Sequence, residues 1–203
     1  KTGDEVWRVD IEEKHYKERK DGFAGQDKGV VGTWSTPIIV KAEGREDLVM
    51  TVPDKMIGLD PKTGEEIWFC RGLNPLIYTS PVFGEGLIVG TGGFHGPDMA
   101  VRPGGKGDVT ETHKVWEGGR TQNRLGSPVI KDGYIFLPTM PGMAECIELK
   151  TGKKVWEERI RGTGAKNDTW TSMVLAGENI YVVNQSGNTI VLKASPKFEI
   201  VGI

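Results

Sequence analysis

Lys62-Thr-Gly-Glu-Glu-Ile-Trp68 returns as Lys150-Thr-Gly-Lys-Lys-Val-Trp156 and, at the start of the chain, as Lys1-Thr-Gly-Asp-Glu-Val-Trp7. A looser copy, Glu111-Thr-His-Lys-Val-Trp116, keeps the Trp and the Val before it but puts Thr112 where the others have Gly. An acidic residue, Asp60, Asp108 or Glu148, stands eight positions before the Trp in three of the copies. This is a repeat protein, and the period decides which kind.

A second signature runs out of phase with the first: Trp34-Ser-Thr-Pro37, Thr79-Ser-Pro81, Gly126-Ser-Pro128 and Trp170-Thr-Ser-Met173, with Met in the Pro position. From Pro37 to Pro81, Pro128 and Met173 the steps are 44, 47 and 45 residues. Propeller blades and some helical arrays share that period. Propensity separates them, because each Ser-Pro is followed by two short β-branched runs around a turn, as in Val82-Phe-Gly-Glu-Gly-Leu-Ile-Val89 and Val129-Ile-Lys-Asp-Gly-Tyr-Ile-Phe-Leu137. Such runs are too short for helices, and Asp132-Gly133 and Glu178-Asn179 sit where tight hairpins need them. A third run ends at the acidic residue, and Thr-Gly turns the chain into a fourth strand carrying the Trp.

The unit is therefore four short antiparallel strands, and the fold class is an all-β propeller. Full blades are predicted near residues 35–72, 79–118, 126–160 and 170–202 within one segment, 1–203. Residues 4–11 read as the outer strand of an incomplete blade. Residues 12–34 form a charged, Gly-rich insertion, whose mixed-charge stretch 12–21 suits one short helix on the surface. Four blades and an orphan strand make a partial arc of a seven- or eight-blade ring, with apolar end faces that something must cover. Further blades of a longer chain, self-association of two copies, or residues 4–11 closing a four-blade ring are the three ways to cover them.

Trp7, Trp68, Trp116 and Trp156 recur at one place per blade beside a Gly, which assigns them to packing between blades. Trp34 and Trp170 precede the Ser-Pro position, where the chain reaches the innermost strand beside the channel, and are binding candidates. Loops leading into inner strands and loops joining second to third strands converge on one mouth. The first class offers Trp34, Asn74, Tyr78, Asn123, Arg124, Asn167, Asp168 and Trp170, and the second His95, Asp98, Asn184 and Gln185. Arg124 and Asp168 are expected either to pair with each other or to meet a ligand.

Composition excludes several classes. With 26 basic and 28 acidic residues the chain has no electrostatic footprint for nucleic acid. No apolar stretch approaches the roughly 18 residues of a transmembrane helix, and no basic-then-apolar leader opens the chain. The 29 Gly and 11 Pro fit frequent turns. Cys70 and Cys146 fall in different blades and are expected to be free and buried. No Gly-x-Ser-x-Gly elbow occurs, Gly90-Thr-Gly-Gly93 precedes no helix, and His15, His95 and His113 lack partners at metal spacing. Asn167-Asp-Thr169 and Asn184-Gln-Ser186 match glycan acceptor sequons of a kind that arises by chance.

The spacing of acidic residue, Thr-Gly and Trp resembles the tryptophan-docking repeat of pyrroloquinoline-quinone-like propellers over nearly the whole chain. Ala100-Val-Arg-Pro-Gly-Gly-Lys-Gly-Asp-Val-Thr-Glu-Thr-His113, Trp156-Glu-Glu-Arg159 and Val191-Leu-Lys-Ala-Ser-Pro-Lys-Phe198 are similar to phrases of an uncharacterised planctomycete-type bacterial branch. The resemblance implies an exported protein of seven or eight blades at a periplasmic or cell-surface address, with more chain on both sides. It also implies the family's enzymatic alternative, a dehydrogenase of alcohols or sugars using the quinone (PQQ) and Ca²⁺ between a Trp and a vicinal disulfide. Vicinal cysteines are missing here. The expected function is thus a non-catalytic scaffold for a protein partner or a binder of a small polar ligand, with no cofactor. The alternatives are the PQQ and Ca²⁺ dehydrogenase and the sensor ectodomain of a signalling protein.

Overall fold

The structure is a computed structural model and describes residues 3–10, 32–93, 96–119 and 123–203. In chain order these form β1 (Gly32–Thr33), β2 (Ile38–Ala42), β3 (Arg45–Val52), β4 (Lys55–Leu59), β5 (Glu66–Arg71), β6 (Leu76–Ile77), β7 (Val82–Gly84), β8 (Leu87–Thr91), β9 (Asp98–Val101) and β10 (Gly107–Asp108). The helical turn α1 (Thr110–His113) follows, then β11 (Lys114–Glu117), β12 (Val129–Lys131), β13 (Tyr134–Thr139), β14 (Met143–Glu148), β15 (Lys154–Arg159), β16 (Val174–Ala176), β17 (Asn179–Val183), β18 (Thr189–Lys193) and β19 (Ile200–Gly202). Four antiparallel meanders succeed one another, β2-β3-β4-β5, β7-β8-β9-β11, β12-β13-β14-β15 and β16-β17-β18-β19. This is a β-propeller of four-stranded blades.

Local chemistry explains the repeated turns. The first hairpin of each of the first three blades turns on Glu43-Gly44, Glu85-Gly86 and Asp132-Gly133, every one of these residues with positive φ. That geometry gives a two-residue turn whose twist matches its strands. In the fourth blade the positive φ falls on Gly177 and β17 begins at Asn179, so the turn lies one residue before the expected Glu178-Asn179. Before the fourth strand, Asp60 Oδ1 accepts the N–H groups of Lys62 and Thr63 at 2.7 and 3.3 Å. Gly64 and Gly152, both at positive φ, close the turn by donating to the carbonyls of Asp60 and Glu148. The acidic residue and the Gly of the repeat thus build one turn.

Register shows what the Trp does. Cross-strand partners run Ile38–Val49–Gly58–Trp68, Val82–Val89–Ala100–Trp116, Val129–Phe136–Cys146–Trp156 and Val174–Tyr181–Val191–Gly202. In the first three blades this row faces the next blade and joins a core cluster with it. Trp116 Nε1 donates to Leu149 O at 2.8 Å and Trp156 Nε1 to Ser195 O at 3.2 Å, each on the turn of the following blade. Trp7 does the same to Pro61 O at 3.1 Å, although residues 3–10 form no strand where an outer strand was expected. The fourth blade carries Gly202 at the indole position.

Trp68 departs from this pattern. The turn it would meet is the looser copy with Thr112, which has grown into β10 and α1. β10 pairs in parallel with β5, adding a fifth strand to the first blade. Trp68 instead lies over Gly58 of its own blade, fully buried, and donates to Asp47 Oδ2 at 2.8 Å. Ala100 and Cys146 occupy the corresponding positions in the next two blades and leave the indole no such room. Arg45 holds Asp47 at 2.8 Å and reaches Gly105 O at 2.7 Å, tying this arrangement to the long turn.

The expected helix in 12–21 lies outside the described residues. No helix among the described residues is long and apolar enough to cross a membrane.

Candidate functional site

The segments leading into the innermost strands are stitched to one another by a ladder of serines. Thr36 N–H donates to Ser80 Oγ at 2.8 Å, Ser80 N–H to Ser127 Oγ at 3.0 Å, and Ser127 N–H to Ser172 Oγ at 3.0 Å. Each bond spans one blade-to-blade step, so the Ser of the Ser-Pro signature positions its neighbour's loop. Thr79 and Thr171, one position before ladder serines, tie the same loops to the blade strands. Thr51 Oγ1 donates to Thr79 O at 3.0 Å, Thr79 Oγ1 to Thr91 O at 2.9 Å, and Thr171 Oγ1 accepts Val183 N–H at 3.1 Å. The third blade has Gly126 at this position because a Cβ there would sit 2.0 Å from Thr171 O.

Three residues before each Pro or Met position stand Trp34, Tyr78, Leu125 and Trp170, one per blade. Trp34 stacks on Tyr78 with ring centroids 4.8 Å apart and planes 10° from parallel. Trp34 and Trp170 remain 56% and 58% exposed, in contrast to the buried Trp68. β1 and β6 pair in parallel just before the stacked rings, and Trp34 N–H continues that pairing to Ile77 O at 3.0 Å.

Arg124 is 1% exposed and its partners are Asp98 and Glu145. Its Nε donates to both Asp98 oxygens at 3.2 and 3.0 Å, and its Nη2 lies 2.9 Å from Asp98 Oδ2 and 2.9 Å from Glu145 Oε2. The expected pairing with Asp168 is not formed: the Asp168 carbonyl accepts Gln185 N–H at 2.9 Å, and Arg124 points across to β9 of the second blade. Asp98, expected as a loop ligand, is a buried strand residue. Burial first, and then the neighbouring Glu145 carboxylate, lift its carboxyl above the ordinary value against the pull of Arg124. Burial acts to lower the guanidinium value, but the two carboxylates outweigh it and leave Arg124 raised. Lys154 adds a fourth charge, 3.4 Å from Glu145 Oε1. The group pins the second blade to the third. Glu145 is the member sequence reasoning missed, and its signal was a charged residue inside the apolar run Ala144-Glu-Cys-Ile147.

The remaining polar candidates serve loop architecture. Asn74 Oδ1 accepts Gly93 N–H at 3.2 Å, and Asn123 O accepts Met140 N–H at 3.0 Å. Asn184 Oδ1 accepts the N–H groups of Ser186 and Asn188, both at 3.0 Å, while its Nδ2 reaches Asn167 Oδ1 at 3.3 Å. The sequon amides Asn167 and Asn184 are thus engaged with the protein. His95 lies outside the described residues.

The donors present do not fit the quinone and Ca²⁺ arrangement implied by the resemblance. Cys70 and Cys146 are free, buried and in separate blades, and Asp98 and Glu145 are held by Arg124. Among the described residues, no group of three or more His, Cys, Asp or Glu is placed to hold a metal ion. Burial pushes the Cys70 thiol up to about 11 and the Cys146 thiol up to about 12.

Comparison with known proteins places these features in context. A family described as outer membrane protein assembly factor BamB matches over residues 1–197. The outer membrane protein assembly factor BamB of Nitrosomonas eutropha is 22% identical over 186 residues, covering 76% of this chain and 44% of that protein. The chain therefore spans less than half the length of that relative. Among solved structures, BamB from Moraxella catarrhalis superposes with a TM-score of 0.56 at 14% identity, over 81% of this chain and 52% of that one. A quinohemoprotein alcohol dehydrogenase from Pseudomonas putida HK5 gives 0.58 at 13% identity, over 84% and 34%. The computationally designed Ika4 protein gives 0.56 at 10% identity, over 95% and 99%. At such identities the structural likeness speaks for the fold alone.

Proposed function

We propose, from the premise that the chain belongs to the PQQ_2 family described as outer membrane protein assembly factor BamB, that it is a non-catalytic propeller arc that scaffolds a protein partner in the assembly of outer-membrane proteins. The observation that carries this reading is the serine ladder, which locks four successive loops into one continuous rim. Loops braced by the chain's own hydrogen bonds form a surface that loses little conformational entropy on docking, as a scaffold requires. The buried ionic groups serve the same end: Asp98 and Glu145 are bound by Arg124 through its Nε and Nη2, as a pin between blades. A periplasmic address follows from this role.

Site-specific photo-cross-linking in cells tests the proposal. Cross-linkers at Asp168 and Gln185 on the mouth are expected to trap outer-membrane assembly proteins, and a cross-linker at Lys62, on the turns at the other end of the blades, is expected to trap none. Absence of such adducts from the mouth positions overturns the reading. So does robust dye-coupled oxidation of alcohols or sugars when the protein is mixed with the quinone and Ca²⁺.

A further inference from the structure

We propose that Trp34, Tyr78, Leu125 and Trp170 form a stepped platform that binds a neutral glycan chain. The proposal is independent of the protein-partner reading above and concerns a second kind of ligand at the same rim. Its first ground is exposure: the indoles of Trp34 and Trp170 are more than half exposed, whereas Trp68 is sealed in the core. Its second is order. Trp34 is fixed against Tyr78 by a near-parallel stack at 4.8 Å, and the loops bearing all four residues are joined by the serine ladder. The apolar side chains therefore recur at the blade step on a rigid track.

Charge selects the occupant. The tetrapeptides Trp34-Ser-Thr-Pro37, Tyr78-Thr-Ser-Pro81, Leu125-Gly-Ser-Pro128 and Trp170-Thr-Ser-Met173 contain no side chain that is charged at neutral pH, in a chain that is 27% charged. Of the charged residues next to this track, Arg124 is buried against two carboxylates, and Asp168, two residues before Trp170, is half-buried. A track of uncharged tetrapeptides offers little to a phosphate or to a charged peptide. Flat aromatic faces beside the exposed Thr36 and Ser172 suit a pyranose ring, which presents an apolar C–H face to stack and hydroxyl groups at its edge to exchange hydrogen bonds. Successive sugars along a polymer then meet successive steps of the platform, so that weak contacts add.

Isothermal titration of the protein with cellohexaose, chitohexaose and maltohexaose, and with decaproline as an uncharged peptide of comparable reach, tests the assignment. Saturable binding of at least one hexasaccharide is expected, weakened roughly tenfold in Trp34→Ala and in Trp170→Ala. Trp170→Ala removes a side chain that is mostly in water, so its thermal melting is expected to match the parent and to separate lost binding from lost fold. No binding of any hexasaccharide, unchanged affinity in both variants, or binding of decaproline in place of the sugars overturns the proposal.

Discussion

The indole of Trp68 occupies the space that a side chain on Gly58 would need, with its Nε1 only 2.2 Å from where a Cβ would stand. The two residues face each other across the β4–β5 ladder, and the ring is fully buried. Gly58→Ala is therefore expected to destabilise the protein by about 1–3 kcal/mol through overpacking. Trp68→Ala is expected to lose about 3–5 kcal/mol. Urea unfolding followed by far-ultraviolet circular dichroism measures both, and a near-neutral Gly58→Ala would mean that the indole can leave its site.

The ionic pin between the second and third blades responds to charge balance. Arg124→Met leaves Asp98 buried without a counter-charge and Glu145 with Lys154 alone, and a loss of about 3–5 kcal/mol is expected. Adding Asp98→Asn and Glu145→Gln to Arg124→Met removes the uncompensated charge and is expected to recover part of that loss in the same unfolding measurement.

A distinct pH dependence follows from Asp98. Its folded-state carboxyl is raised above the unfolded value of about 3.9, so the native state binds the proton more tightly than the unfolded chain does. This term favours folding at low pH and is lost as pH rises from about 4 through the folded-state value. Relative to Asp98→Asn, the parent protein is expected to lose stability over that rise. A parent that gains stability relative to the variant would show that the Arg124 charge outweighs burial.

Both thiols are expected to be inert in the native protein. With the Cys70 and Cys146 values lifted to about 11 and about 12, the thiolate fraction at pH 8 is on the order of a thousandth or less. Alkylation by iodoacetamide read by mass spectrometry is expected to give no adduct in buffer and two in denaturant. Rapid labelling of the native protein would contradict their burial.

Much of this molecule was legible in its sequence where the determinant is local. Asp132-Gly133 turns where its φ preferences demand, and Asp60 and Gly64 build their turn from groups only a few residues apart. Trp68 was expected to pack between blades, and the looser turn facing it was visible as Thr112. What that looser turn would lead to was not visible, because it depended on the absence of a Cβ at Gly58 and on Asp47 lying opposite. At the mouth, Trp34 and Trp170 emerged exposed, while Arg124 turned away from Asp168.

The sequence by itself determined the blade unit, its period, its hairpins and the per-blade place of each indole, because strand propensity, turn chemistry and repeat spacing act over a few residues. Only the tertiary structure decided which blade each indole serves and which carboxylates share Arg124. Those choices rest on steric room and opposite charge between segments 20 or more residues apart in the chain, as in Asp98–Arg124, Arg124–Glu145 and Asp47–Trp68. Such pairs meet only when the strands of a blade have paired and, for Asp98–Arg124, when one blade has packed against another.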